Sequence, residues 1–460
     1  MLREYNENSF NYKKFLFITI VLVVTLVIDT SIVKVYDLVD KYFIPIQGKI
    51  ILFSIDTSLC LLLQFVLIRY VIKHIQSSFK RHQLNKRLNV NLWYRISLIS
   101  LFTLGTLMGL LIFRQFYNNY YETLIPIFIV IISYGTAAGF IIRLSLLFIS
   151  WYKSNHNSIV FLYFISTLLI AFNLVVTAII TDVKINDRPD KIRELVGGSI
   201  DISFGKYVFL DNIYTISSIM SFVSIWITTT LLMNSYRDKL IVNAIVYWII
   251  LCIPLVYFLA NYLYKFILTN MLSSYLAIDP ITVSIILTSF LSLSKPIGGL
   301  TFAIAFWKIS KITSYEKNIK TYMIISGWGI LLIFGADQAV VQSQLQSPYP
   351  PFGLATLTVL IMASFLMLIG IYNSATLVSA NNELRKFIHK HALESRLLGL
   401  IGHAEMENEI QRTIKKITQD KDRLEINTEQ QQQHQPIELD EKELKKYVDL
   451  VIKEVKRGRI

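Results

Sequence analysis

Among the ionisable residues inside otherwise apolar stretches of this 460-residue chain, four stand out: Asp29, Asp56, Lys295 and Asp337. An ionisable group at membrane depth is costly, and such residues are functional candidates by default. The three acids fall near one end of their stretches, where they would line an outward-facing polar cavity. That cavity could bind a cation or an amine, or relay protons. Lys295 falls near the middle of its stretch and would be the internal counter-charge. Asp337, on the next stretch, is its expected partner. The plainer alternative is that the acids reach water at the surface and Lys295 makes a structural ion pair. Asp211 opens a stretch, and Arg143 can extend its long side chain to the interface; both read as ordinary.

Lys295 belongs to the segment Ser292-Leu293-Ser294-Lys295-Pro296-Ile297-Gly298-Gly299. Proline removes an amide donor and clashes with the previous helical turn. Pro296, Gly298 and Gly299 therefore predict a helix break of the kind that lines transporter sites. No matching break occurs in the first half of the chain. Gly135 and Gly139, with small residues between them, instead predict close helix packing. Glycine totals only 18 residues, which counts against a transporter with many interrupted helices.

Other chemistry has little support. No phosphate-binding glycine loop, dinucleotide fingerprint, H-E-x-x-H or C-x-x-C is present. The two cysteines, Cys60 and Cys252, lie in apolar runs and form no metal cage. His389 and His391 are two apart and face different sides of a helix. His403-Ala404-Glu405 superficially suits a phosphoacceptor histidine, but no ATP-binding domain accompanies it. The expectation is a protein with no metal, no cofactor and no enzymatic role.

The elements that must position these residues are membrane helices. Hydrophobic residues make up 53% of the chain and charged residues 17%, against about 25% in soluble domains. The mean hydropathy is +0.50. Ten runs are long enough to span a bilayer, which takes about 20 apolar residues. They are 15–35, 50–68, 96–113, 124–150, 159–180, 210–233, 240–264, 281–307, 322–341 and 353–378. None alternates with the period of a barrel strand. The predicted fold is an all-α polytopic bundle of about ten transmembrane helices. With the N-terminus inside, the inner segments carry 17 Lys and Arg and the outer ones 9. The positive-inside bias then puts both termini in the cytoplasm. Lys13 and Lys14 precede the first run, which reads as a retained anchor rather than a cleaved signal. Trp93, Tyr94, Tyr117, Trp151 and Tyr152 read as interfacial belt residues. The basic stretch 69–95 faces anionic headgroups, and no nucleic-acid-reading motif accompanies it.

The domain plan is a cytoplasmic N-terminus (1–14), a transmembrane bundle (15–379), a cytoplasmic helical segment (380–425), a Gln-rich linker (426–438) and a C-terminal amphipathic helix (439–460). In that last helix Asp440 and Glu443 form a capping box. Leu444, Tyr447, Val448, Val451 and Val455 share one face. A protein partner or self-association through 440–456 would cover it. The segment Leu384-Arg385-Lys386-Phe387-Ile388, with Ile401-Gly402 and Glu405-Met406-Glu407-Asn408-Glu409-Ile410, resembles the tails of uncharacterised multi-pass membrane proteins of ammonia-oxidising archaea. The resemblance implies an archaeal plasma membrane and assigns no site residue. Two functions are expected: a receptor-like or signalling protein with a partner-binding tail, or a secondary transporter or channel for a small cation, amine or other solute.

Overall fold

A computed structural model describes residues 11–42, 46–81, 90–118, 124–186, 208–234, 244–263, 290, 293–312, 317–343, 351–381, 384–386, 388 and 396–430. Among them the regular elements are all helices: α1 (Tyr12–Tyr42), α2 (Ile46–Arg81), α3 (Val90–Asn118), α4 (Leu124–Asn155), α5 (Ser158–Asn186), α6 (Val208–Asn234), α7 (Ala244–Leu263), α8 (Ser294–Ile312), α9 (Lys317–Ser343), α10 (Leu354–Ala380) and α11 (Arg396–Gln430). The first ten fall on the ten apolar runs. By length and composition, α2 to α6, α9 and α10 can cross a bilayer, and α7 holds a shorter apolar helix, Ile245–Asn261. The chain is thus an all-α, multi-pass membrane protein. Outward-facing residues such as Phe17, Leu62, Phe102, Phe172 and Val256 are large and apolar, as lipid contact requires.

Helix α10 is the centre. Every residue from Leu354 to Ser379 is buried, because α10 packs against α1, α2, α3, α4 and α9. A helix enclosed on all sides must be apolar all round. Several hydroxyls it carries return to its own turns: Ser364, Ser374, Thr376 and Ser379 all donate to carbonyls three or four residues back. Glycines let α9 approach it closely. A Cβ at Gly329 would lie 2.6 Å from the Met367 amide nitrogen, and one at Gly370 2.6 Å from the Tyr322 carbonyl.

A second group of helices adjoins this one. α4 packs on α5, α5 on α6, α6 on α8, and α8 on α9, while α7 rests against α6 and α8. Phe222 of α6 joins them. It stacks on Phe258 of α7, with centroids 3.9 Å apart, and meets Phe302 of α8 and Phe334 of α9 edge-on or tilted.

Two sequence expectations are corrected here. Gly135 and Gly139 have no atom within 4 Å of where a Cβ would stand; they sit on an exposed face and are not where helices close in. Trp151 is no belt residue. It is fully buried, held by a contact with the segment after the bundle.

The chain divides into two compact units, 1–407 and 408–460. In the segment that follows α10, Leu384, Ile388, Leu397, Leu398, Ile401 and Ala404 are buried in the core of the first unit, because their apolar stripe has a surface to cover. In the second unit, α11 continues to Gln430, so the first residues of the Gln-rich stretch are helical. The C-terminal helix expected over 439–460 lies outside the described residues.

Candidate functional site

Antiparallel alternation of the helices brings the start of α4, α6, α8 and α10 and the end of α5 and α9 to one end of the bundle. Two polar clusters lie in that half.

The first is built around Lys295. Helix α8 begins at Ser294, with Leu293 in a turn before it. Pro296 therefore stands in the first turn, where a missing amide proton takes nothing from the helix. The first backbone bond runs from the Ile297 amide to the Leu293 carbonyl at 3.0 Å. The residues that would precede a break, 264–289, 291 and 292, lie outside the described part. The two glycines serve packing: a Cβ at Gly298 would strike the Phe222 ring, and one at Gly299 would lie 2.9 Å from Phe334 Cβ.

This start aims Lys295 into protein. Its Nζ donates to Asp337 Oδ2 at 2.6 Å, with side-chain exposures of 1% and 5%. It also donates to the Tyr214 hydroxyl at 3.1 Å and lies 5.3 Å from that ring's centroid. Asn173 of α5 donates to the same Asp337 oxygen at 3.4 Å. Ser217 donates to Asn173 Oδ1 at 3.0 Å, which orients the amide. Two buried charges taken from water need this kind of geometry and these extra partners. Two groups are left over: Asp337 Oδ1 and the Tyr134 hydroxyl of α4 are both buried without a hydrogen-bond partner. Asp337 and Tyr214 both lie within electrostatic reach of Tyr134.

The second cluster joins α1, α2 and α10. Gly353 precedes α10 with φ 91°, in the left-handed region that favours glycine, and the helix has no side-chain cap of its own. Asp29 supplies one from α1. It accepts the Gly353 amide at 2.9 Å, the Thr356 amide at 3.2 Å and the Thr356 hydroxyl at 2.6 Å. These donors are otherwise orphans of a helix start, and a carboxylate there also meets the positive end of the helix dipole. Asp56, Cys60 and Gln64 recur every four residues, so they share a face of α2. Gln64 donates to the Thr358 hydroxyl at 2.7 Å and to Cys60 Sγ at 3.3 Å. Asp56 is 7% exposed, within electrostatic reach of Asp29, and its Oδ2 has no partner.

The expected pairing of Lys295 with Asp337 is thus present, whereas Asp29 and Asp56 belong to a separate set on other helices. Both cysteines are free, and the described residues hold no metal-binding group of His, Cys, Asp or Glu.

The opposite end holds the junction with the tail. Trp151 Nε1 donates to Glu405 Oε2 at 2.7 Å, with both residues buried. Asn155 donates to the Leu400 carbonyl at 3.4 Å. Arg385 donates to the Ser379 carbonyl at 2.8 Å and contacts Met406 Sδ. Gly402 lets the backbone meet Val378, which a Cβ would strike.

Sequence reasoning missed Tyr134, Asn173, Tyr214, Ser217, Trp151 and Glu405. Asn173 carried a weak signal, since an amide inside an apolar run needs a partner. Compared with known proteins, the chain matches no family model, no curated protein and no solved structure.

Proposed function

We propose that this membrane protein is receptor-like, sensing at the end that holds the two polar clusters and signalling through its tail. One observation carries the reading. The enclosed helix α10 is tied to Asp29 at its start, and the tail segment packs on Val378 and Ser379 at its finish. A shift of α10 would therefore reach residues 385–406 without passing through lipid. On the Lys and Arg bias of the loops, the clusters face outward and both termini are cytoplasmic, in a plasma membrane that the tail resemblance makes archaeal. The tail engages a protein partner through 440–456, the basic stretch 69–95 contacts anionic lipids, and no enzymatic step is involved. The test is amide exchange of 396–407 in nanodiscs, in wild type and Asp29→Asn. Faster tail exchange in the variant, with the bundle still folded, supports transmission along α10. An unchanged tail removes the reading.

A second reading is a secondary transporter or channel for a small cation, amine or other solute. It is favoured by Asp56, a buried carboxylate with an open oxygen close to Asp29. Uptake of labelled methylammonium into proteoliposomes, lost in Asp56→Asn, would support it over the receptor.

A further inference from the structure

We propose that the start of α1 and the end of α2 together bind the phosphate of an anionic lipid, with Lys13 and Lys14 on one side of it and Arg69 and Lys73 on the other. The inference rests on the lipid contact assigned above to 69–95 and deepens it. It brings in α1 and places the headgroup at one seam between two helices.

The two helix ends are fastened together. The Tyr70 hydroxyl of α2 accepts the Asn11 amide at 2.7 Å and donates to the Asn11 carbonyl at 3.1 Å. Asn11 also opens α1, since its Oδ1 accepts the Lys14 amide at 3.1 Å. Lys13 and Lys14 stand just beyond Asn11, and Arg69 and Lys73 stand on either side of Tyr70 in sequence. All four cations are exposed.

On each helix the cations continue the stripe that faces lipid. Lys13 is followed at steps of four and three by Phe17 and Ile20, both exposed. On α2 the exposed residues Leu62 and Val66 are followed at steps of three and four by Arg69 and Lys73. Such spacing keeps residues on one face of a helix. The order reverses because the chain turns back between α1 and α2, so both stripes end in cations at the same end. A lipid whose chains lie on these apolar stripes carries its headgroup to the cations.

Charge then selects the headgroup. Neither 11–28 nor 57–81 contains an Asp or Glu, so nothing on these helix faces answers the four cations. Like charges gathered at one seam repel unless an anion lies among them. A guanidinium fits two phosphate oxygens at once, and an ammonium serves as a point charge beside them.

The experiment uses the full chain in uncharged detergent. It is titrated with phosphatidylglycerol and, separately, with phosphatidylcholine, and native mass spectrometry counts bound lipid. Phosphatidylglycerol should bind the more tightly. Lys13→Gln and Arg69→Gln should each weaken the first phosphatidylglycerol roughly 5-fold, and the two together roughly 25-fold, the effect of one and two cations near a headgroup. Arg69→Lys keeps the charge and should bind nearly as wild type does. Lys86→Gln with Arg87→Gln, elsewhere in the basic stretch, should leave the first lipid unchanged. Because the substituted side chains are exposed, helical circular dichroism should match wild type in every variant. Equal binding of the two lipids, or wild-type affinity in the Lys13 and Arg69 double variant, would overturn the proposal. So would displacement of the lipid by millimolar inorganic phosphate, which would make a free anion the ligand. Loss of binding confined to the Lys86 and Arg87 variant would remove this site and leave the wider contact of 69–95 standing.

Discussion

Asp29 and the Gly353 amide meet at 2.9 Å although 324 positions separate them. Helix α1 thereby caps α10. The cap is not local, so the amides at the start of α10 gain their acceptor only when α1 is in place.

Asp29→Ala should therefore destabilise the bundle by about 1–3 kcal/mol, because it orphans buried amides as well as a hydroxyl. Thr356→Val should cost about 1 kcal/mol, the value of one hydrogen bond. Thermal or denaturant unfolding in detergent gives both numbers. Equal effects of the two substitutions would refute the capping role.

At the other cluster, the pair and the single substitutions should diverge. Lys295→Met leaves Asp337 buried without its cation and should cost on the order of 3–5 kcal/mol. Lys295→Met combined with Asp337→Leu replaces both charges with apolar groups and should recover most of that loss. A double-mutant cycle on unfolding free energies measures the coupling, and additive single effects would show that the ion pair contributes nothing.

Glycine substitutions should separate the packed seam from the open face. Gly329→Ala and Gly370→Ala press a methyl against backbone of the facing helix and should each cost about 1–3 kcal/mol. Gly135→Ala and Gly139→Ala enter open space and should stay within about 0.5 kcal/mol of wild type. The four unfolding midpoints, measured side by side, decide it.

The tail junction should respond to the loss of a single donor. Trp151→Phe keeps the ring and removes the N–H, leaving the Glu405 oxygen without it. Amide exchange over 396–407 should accelerate by roughly tenfold or more, in line with about 1.5–3 kcal/mol for a hydrogen bond to a charged group. Glu405→Gln keeps an acceptor and should accelerate it less. Equal protection in all three proteins would show that the contact holds nothing.

Orientation is checked by cysteine labelling in intact cells. Cysteines placed at 185–200 should react with impermeant reagents, and those at 76–90 should not. The reverse pattern would invert the assigned topology.

The helices themselves were legible, because ten apolar runs of sufficient length admit few alternatives. So was the Lys295–Asp337 pair, since sequence-adjacent helices usually pack together. The rest of that cluster was not. Tyr134, Asn173 and Tyr214 come from three other helices, and which faces meet depends on helix rotation, which an all-apolar run does not encode. The glycines show the same limit. Gly135 and Gly139 have the spacing of a close contact and face outward, while Gly329 and Gly370 lack a shared motif and form one. Trp151 looked like an interfacial ring because a tryptophan beside Tyr152 at a helix end usually is one. Its partner, Glu405, lies 254 positions away.

The enclosure of α10 also fixes an order of assembly. Ribosomes release this chain from its N-terminus, so α10, which touches α1, α2, α3, α4 and α9, is the last of the seven candidate spans to be made. Until it arrives, the inner faces of those five helices have no final neighbour, and a temporary occupant must fill the space: lipid, an insertion factor, or a looser arrangement of the helices themselves. A chain stopped before residue 353 would lack the helix that α1, α2, α3, α4 and α9 all touch, and quality control would meet it with those faces uncovered.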